Sequence, residues 1–145
     1  MKLPLLDSVD LLVLEAGWAG MAAARRAALE GKRVLLAEAR THPGYEISEW
    51  QRPFVTAVGA DWDELREWFP EMQEAEQGCE AVFTLDAFKL HAEDLLCQAG
   101  VRLLYAVRPV RVNRTPDGFR VLLAGKQGLC AVDAARLLDC SETQI

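Results

Sequence analysis

Glu15-Ala16-Gly17-Trp18-Ala19-Gly20 is the stretch of this sequence best suited to chemistry. It lies between a short apolar run, Asp10 to Leu14, and an Ala-rich segment, Met21 to Leu29. A helix N-terminus reached through glycines can hold a pyrophosphate, because its first N–H groups lack intrahelical partners and its dipole end is positive. Such a turn asks for a glycine where the chain bends, a second where backbone approaches phosphate, and a third where helix meets strand. The three places here are Glu15, Gly17 and Gly20. Glu38 follows Gly17 by 21 residues, where an acid can accept a hydrogen bond from a ribose hydroxyl.

The elements that must position these residues are legible around them. Asp10 to Leu14 suits a strand buried on both faces of a parallel sheet. Met21 to Leu29 favours a helix with Arg25, Arg26 and Glu30 on its polar side, and Gly31 falls where that helix should end. Arg33 to Glu38 is a second buried strand. Strand, glycine turn, helix and strand make the βαβ unit of a Rossmann fold.

Thr41 to Ala60 contains Pro43, Gly44, Pro53 and Gly59 and is expected to be loop. Asp61 reads as an N-cap for a short helix carrying Trp62, Leu65, Trp68 and Phe69, with Pro70 ending it. Glu71 to Glu80 is acidic and reads as a solvated connection. Helical spacing returns with Leu85, Phe88, Ala92, Leu95, Leu96 and Ala99, followed by Gly100 and a third parallel strand, Val101 to Tyr105. Val107 to Arg114 and Phe119 to Leu123 flank the turn Thr115-Pro116-Asp117-Gly118, and Leu129 to Asp133 follows a second turn at Gly125 to Gly128. These three strands predict an antiparallel meander, after which Arg136 to Cys140 returns to the main sheet.

Composition narrows the function classes. The chain has 145 residues, 51% hydrophobic and 26% charged, enough for one domain with a core. A net charge of −6 argues against nucleic acid and against an anionic membrane surface. Met1 to Val13 is interrupted by Pro4, Asp7 and Asp10, unlike a signal peptide, and no run reaches the length of a membrane span. The expectation is a soluble, cytoplasmic protein. Cys79, Cys97, Cys130 and Cys140 are scattered without metal-ligand spacing, so reduced and mostly buried thiols are expected, with no metal site. His42 and His91 stand alone and read as surface histidines; Trp50, Trp62 and Trp68 read as core or loop anchors. No residue is assigned as catalytic.

Taken together, VDLLVLEAGWAGMAAA followed by GKRVLLAEAR resembles the opening of FAD-dependent oxidoreductases of the glutathione-reductase-like FAD/NAD(P)-binding class. FTLDAFKLHAEDLLCQAGVRLLY resembles that family's helix and third strand, and AARLLDCSET stands where its members carry a strand ending in a D-A-T-G-like turn. The resemblance implies an α/β, Rossmann-like FAD/NAD(P)-binding domain, a parallel sheet with a three-stranded antiparallel meander. It implies a cofactor site at Glu15, Ala16, Gly17, Trp18, Ala19, Gly20, Glu38, Ala39, Arg40, Val107 and Asp139. Within it, Gly17 to Gly20 surround the pyrophosphate, Glu38 and Arg40 approach the ribose, Val107 lies near adenine and Asp139 begins the second turn.

The family continues into a substrate domain that residues 1–145 do not include, so other flavin contacts are expected from a carboxy-terminal portion or a second chain. Three positions depart from the pattern. Glu15 replaces the first glycine, Trp18 stands where a small residue or Pro is usual, and Cys140-Ser141-Glu142 replaces Ala-Thr-Gly. A carboxylate ~4 Å from a phosphate charge costs about 1 kcal/mol in water and about 4 at a partly buried site, roughly a thousandfold in affinity. Two functions follow as expectations: an oxidoreductase whose ADP-binding half this chain supplies, with its substrate open, or a non-catalytic Rossmann-like binding module. A nicotinamide domain is less consistent, because it would continue with another βαβ unit where this chain has a meander.

Overall fold

The computed structural model describes residues 4–51, 54–56, 61–69, 73–74, 80–82 and 84–141. Cys79, Pro70 and Glu142, and the side chains of Asp61 and Trp62, lie outside the described residues. The chain enters through strand β1 (Leu5–Leu14), helix α1 (Trp18–Leu29) and strand β2 (Val34–Ala37), the expected βαβ unit. β1 begins five residues before the predicted start because its first half pairs in parallel with a much later strand. α1 likewise begins at Trp18 rather than Met21, with Gly17 as its N-cap.

Two segments differ from the sequence reading. Within the stretch expected to be loop, Tyr45–Ser48 forms a one-turn helix, α2, and Phe54–Thr56 forms strand β3. Gly44, at φ 70°, starts α2 in a left-handed conformation that an L side chain rarely takes. The acidic connection carries β4 (Gln73–Glu74) and β5 (Glu80–Val82), which pair with β3 in a small antiparallel sheet of order β3-β5-β4. Between β3 and β4, helix α3 spans Asp61–Trp68, near its expected bounds. None of these strands exceeds three residues, too short for alternation to be visible in sequence.

Helix α4 (Leu85–Gln98) buries Phe88, Ala92 and Leu96, with Leu85, Leu95 and Ala99 packed beside them, as their spacing predicts. Strand β6 (Arg102–Leu104) follows. Then come β7 (Val107–Thr115), β8 (Gly118–Gly125) and β9 (Gly128–Asp139), joined by the expected turns. The returning strand is not separate: the third meander strand and the Arg136 segment are one strand. β9 pairs antiparallel with β8 through its first half and parallel with β1 from Ala131 to Asp139. The main sheet therefore has the order β6-β2-β1-β9-β8-β7, with β6, β2, β1 and β9 parallel.

Alternate residues of β1 and β2 feed two cores, because successive strand side chains point to opposite faces. Val13, Val34 and Leu36 join Met21, Ala24, Phe88, Ala92 and Leu96 of the helices. Leu12, Leu14, Leu35 and Ala37 join Val107, Val121, Leu123 and Val132 of the meander. The paired burial holds the carboxyl ends of β1, β2 and β9 side by side, and the candidate site forms there.

Candidate nucleotide site

At the end of β1 the chain turns out of the sheet at Glu15, whose φ of 70° is left-handed. The glycine usual at this place would adopt that conformation freely, whereas an L residue costs roughly 1–2 kcal/mol there. Glu15 N–H still donates to Ala37 carbonyl oxygen at 2.8 Å, so the turn is fastened to β2 before α1 begins. Gly20, on the first turn of α1, lies directly over the Glu15 carbonyl; a Cβ there would overlap that oxygen. Gly20 thus fills the helix–strand packing role assigned to the third glycine of the turn.

Glu38, at the end of β2, is fully buried. Its Oε2 accepts Ala16 N–H at 2.6 Å and its Oε1 accepts Arg40 N–H at 2.8 Å, a buried carboxylate held by backbone donors. Arg40 is shared by three carboxylates: Glu49 at 3.1 Å, Glu38 at 3.5 Å and Glu15 at 3.8 Å. Its guanidinium also lies 4.1 Å over the Tyr45 ring. Burial opposes its charge, but the hydrogen bond to Glu49 and the charges of Glu38, Glu49 and Glu15 raise its pKa above the usual arginine value. The negative charge that Glu15 brings beside the turn therefore has a counter-charge. His42, nearby, has its pKa lowered by burial and then by the Lys89 charge, which favours the neutral ring.

The sequence-predicted positions are brought together. Glu15 to Gly20 line the turn, Glu38, Ala39 and Arg40 end β2, and Asp139 ends β9 beside Leu14. Val107 is buried at the start of β7, and its N–H donates to Glu38 carbonyl oxygen at 3.1 Å. Asp139 Oδ1 accepts Ser141 N–H at 3.0 Å just beyond the end of β9, while Glu142, the last place of the expected second turn, lies outside the described residues. Trp18 contributes its backbone to the turn, while its ring packs away from it, edge-on to Phe69 and Phe88 at 5.7 and 5.5 Å.

Sequence reasoning missed three neighbours, Tyr45, Glu46 and Glu49, because they lie in the segment read as loop. Glu46 Oε1 accepts Trp18 N–H at 2.9 Å, and the Tyr45 ring lies alongside Gly17. An acid two residues after Gly44 was the available sign of a short helix start.

Other candidates sit elsewhere. His91 is half-buried rather than on the surface: its Nε2 lies 2.6 Å from Trp68 carbonyl oxygen and its ring packs on Phe69, tying α4 to α3. Trp68 is buried and Trp50 is exposed, 5.9 Å from the Tyr45 ring. Cys130 is buried and Cys140 half-buried, while Cys97 is exposed on α4. Burial raises the Cys140 thiol pKa, and the Asp139 and Glu15 charges add to it. Among the described residues no three His, Cys, Asp or Glu side chains converge as metal ligands, and no helix is long and apolar enough to cross a membrane.

Parallel strands, a glycine turn under a helix N-terminus and an acid ending the second strand define a Rossmann-type dinucleotide-binding fold. The family model for FAD dependent oxidoreductases matches residues 10–143, and the chain belongs to that family. Similar solved structures include THI4 from Thermovibrio ammonificans, at 15% identity and a TM-score of 0.74, covering 92% of this chain and 57% of that one. A geranylgeranyl bacteriochlorophyll reductase-like protein from Thermoplasma acidophilum matches at 18% identity and a TM-score of 0.69, covering 92% and 39%. Aklavinone-11 hydroxylase, solved with FAD and aklavinone, matches at 16% identity and a TM-score of 0.57, covering 89% and 32%. The chain thus spans little more than half of the first of these structures and about a third of the last. No match is found among curated proteins.

The left-handed Glu15 leads to a direct test. Glu15→Gly and Glu15→Ala both remove the carboxylate and differ only in a Cβ at φ 70°. Glu15→Gly is expected to melt about 2–4 °C above Glu15→Ala, corresponding to about 1 kcal/mol of relieved backbone conformation. Equal melting temperatures by circular dichroism would show that the turn relaxes around any residue.

Proposed function

We propose that this chain supplies the ADP-binding half of the flavin site of an FAD-dependent oxidoreductase, as one domain over residues 1–145. What supports the reading most is Glu38: a fully buried carboxylate ending β2 whose two oxygens fasten the Ala16 and Arg40 amides beside the glycine turn. Each carboxylate oxygen has a second lone pair, so Glu38 can hold the backbone and accept a ribose hydroxyl together. The pyrophosphate would rest on the N-terminus of α1, over Gly17 and the first-turn amides, with Gly20 allowing the helix to sit close to β1. Adenine would lie beside Val107, and Asp139 would begin the turn nearest the rest of the flavin. FAD, when bound, supplies hydride or electron transfer. The residues of this chain bind and orient its ADP half. Substrate contacts and the remaining flavin contacts would come from a carboxy-terminal portion or a second chain, in a cytoplasmic enzyme.

A second reading has an observation behind it. The Glu46 carboxylate accepts Trp18 N–H at the helix N-terminus, and Glu15, ion-paired with Arg40, stands where the turn usually has its first glycine. Both would suit a Rossmann-like module that binds no nucleotide.

Titration of the purified chain with FAD, followed by flavin absorbance and fluorescence with NADH as control, separates the two. Saturable binding of FAD at micromolar or tighter affinity, with NADH weaker, is the expected result. Binding of neither nucleotide would sink the flavin reading and favour the module.

A further inference from the structure

We propose that Glu46 is an intramolecular plug of the pyrophosphate seat, so that a dinucleotide binds only when the Glu46 carboxylate swings off the N-terminus of α1. The inference rests on the flavin half-site reading, and it names the residue that sets the affinity of that site for phosphate.

Three observations converge on it. First, Glu46 Oε1 accepts Trp18 N–H at 2.9 Å, so a carboxylate already takes one of the first-turn donors that a phosphate oxygen would use. Second, the space over Gly17, where backbone should meet phosphate, is filled from the same segment. A Cβ built on Gly17 would lie 2.5 Å from Glu46 Oε1 and 2.8 Å from the Tyr45 ring. Third, α1 has no side-chain cap and no acid in its first turn. Its positive end therefore takes its anion from 28 residues away in sequence.

The segment carrying the plug is built as a short strap. α2 is four residues long and is bounded by left-handed backbone at Gly44, φ 70°, and Gln51, φ 50°. Gly44 N–H donates to Ala16 carbonyl oxygen at 2.7 Å, pinning one end to the turn. Beyond it, Arg40 holds Glu49 and stacks on Tyr45. Ile47 anchors α2 in the helix-side core, so Glu46 is released by rotation of its own side chain, which takes its oxygen off Trp18 N–H and away from Gly17 without moving α2. An incoming phosphate competes with Glu46 for the same donor and is repelled by it until it leaves. The plug therefore lowers affinity for anionic ligands and leaves an uncharged nucleoside unaffected.

The test compares wild type, Glu46→Ala and Glu46→Gln, with inorganic pyrophosphate, FAD and adenosine as ligands, and follows the Trp18 amide proton by NMR. Glu46→Ala is expected to bind pyrophosphate and FAD about tenfold more tightly, as removal of a competing charge at a helix N-terminus implies. Adenosine binding should stay unchanged, and the Trp18 amide resonance should move upfield as its carboxylate acceptor is lost. Glu46→Gln keeps the side chain's shape and should show a smaller shift in the same direction, which carries the test if the alanine variant folds poorly. Pyrophosphate affinity equal to wild type in both variants, or an unmoved Trp18 amide, would overturn the plug. Wild-type FAD binding with no gain in either variant would overturn the plug and leave the flavin site standing. Tighter pyrophosphate binding without any FAD binding would uphold the plug and overturn the flavin reading.

Discussion

Gly20→Ala is expected to destabilise the protein by about 3 kcal/mol, at the upper end for overpacking a well-filled site, and to lower the melting temperature by roughly 6–12 °C. The new Cβ would overlap the Glu15 carbonyl oxygen, which is backbone and cannot rotate aside. Relief requires α1 to lift from β1. That movement would separate Met21 and Ala24 from Val13 and Leu36, which pack together in the helix-side core. Intrinsic helix propensity acts in the opposite direction, since alanine is favoured over glycine by about 1 kcal/mol inside a helix. A measured gain in stability by thermal denaturation would mean that propensity wins and that the close approach is not a constraint. The same lift would move the first-turn amides away from Gly17, so the variant should also lose whatever anion affinity the wild type has.

Glu38→Ala is the second large effect, expected to cost about 4 kcal/mol, within the range for removing one member of a buried charged network. It leaves the buried Ala16 N–H without its acceptor, at about 1–3 kcal/mol, and removes the acceptor of the part-buried Arg40 N–H as well. In urea the midpoint should fall by about 2 M for a slope near 2 kcal/mol/M. Glu38→Gln keeps the volume and one acceptor oxygen but turns an NH2 group toward a donor. It should therefore lie between wild type and alanine. A glutamine variant as stable as wild type would show that the two amides find other acceptors, and that Glu38 does not hold the turn. Because the carboxylate joins the turn after β1 to the end of β2, its loss should loosen the candidate nucleotide site as well as the fold.

Much of this architecture is legible in local pattern. Continuous apolar runs at Leu11 to Leu14 and Val34 to Ala37, separated by a glycine turn and an Ala-rich segment, leave few alternatives to a βαβ unit. Phe88, Ala92 and Leu96 mark the buried face of α4 by spacing alone, and Pro116-Asp117-Gly118 announces the hairpin between β7 and β8. Where the sequence reading departed from the structure, the deciding interaction was non-local. Ala134 and Ala135 resemble a break, yet β9 runs through them because Ala134 pairs with both Val9 and Phe119. His91 carries no sequence sign of the Trp68 carbonyl that it meets across two helices.

The site divides along the same line. Gly17, Gly20 and Glu38 are recognisable from residue type and spacing, because the backbone geometry of a strand–turn–helix dictates where a glycine or an acid is useful. The meeting of Glu46 with Trp18, and of Arg40 with Glu15, Glu38, Glu49 and Tyr45, was decided only by the tertiary fold. A helix of four residues has no period to detect, and a contact spanning 28 residues depends on how two cores set the ends of β1 and β2 side by side. The sequence by itself determined that this chain has a nucleotide-type turn. The folded structure determined which of its own carboxylates reaches that turn.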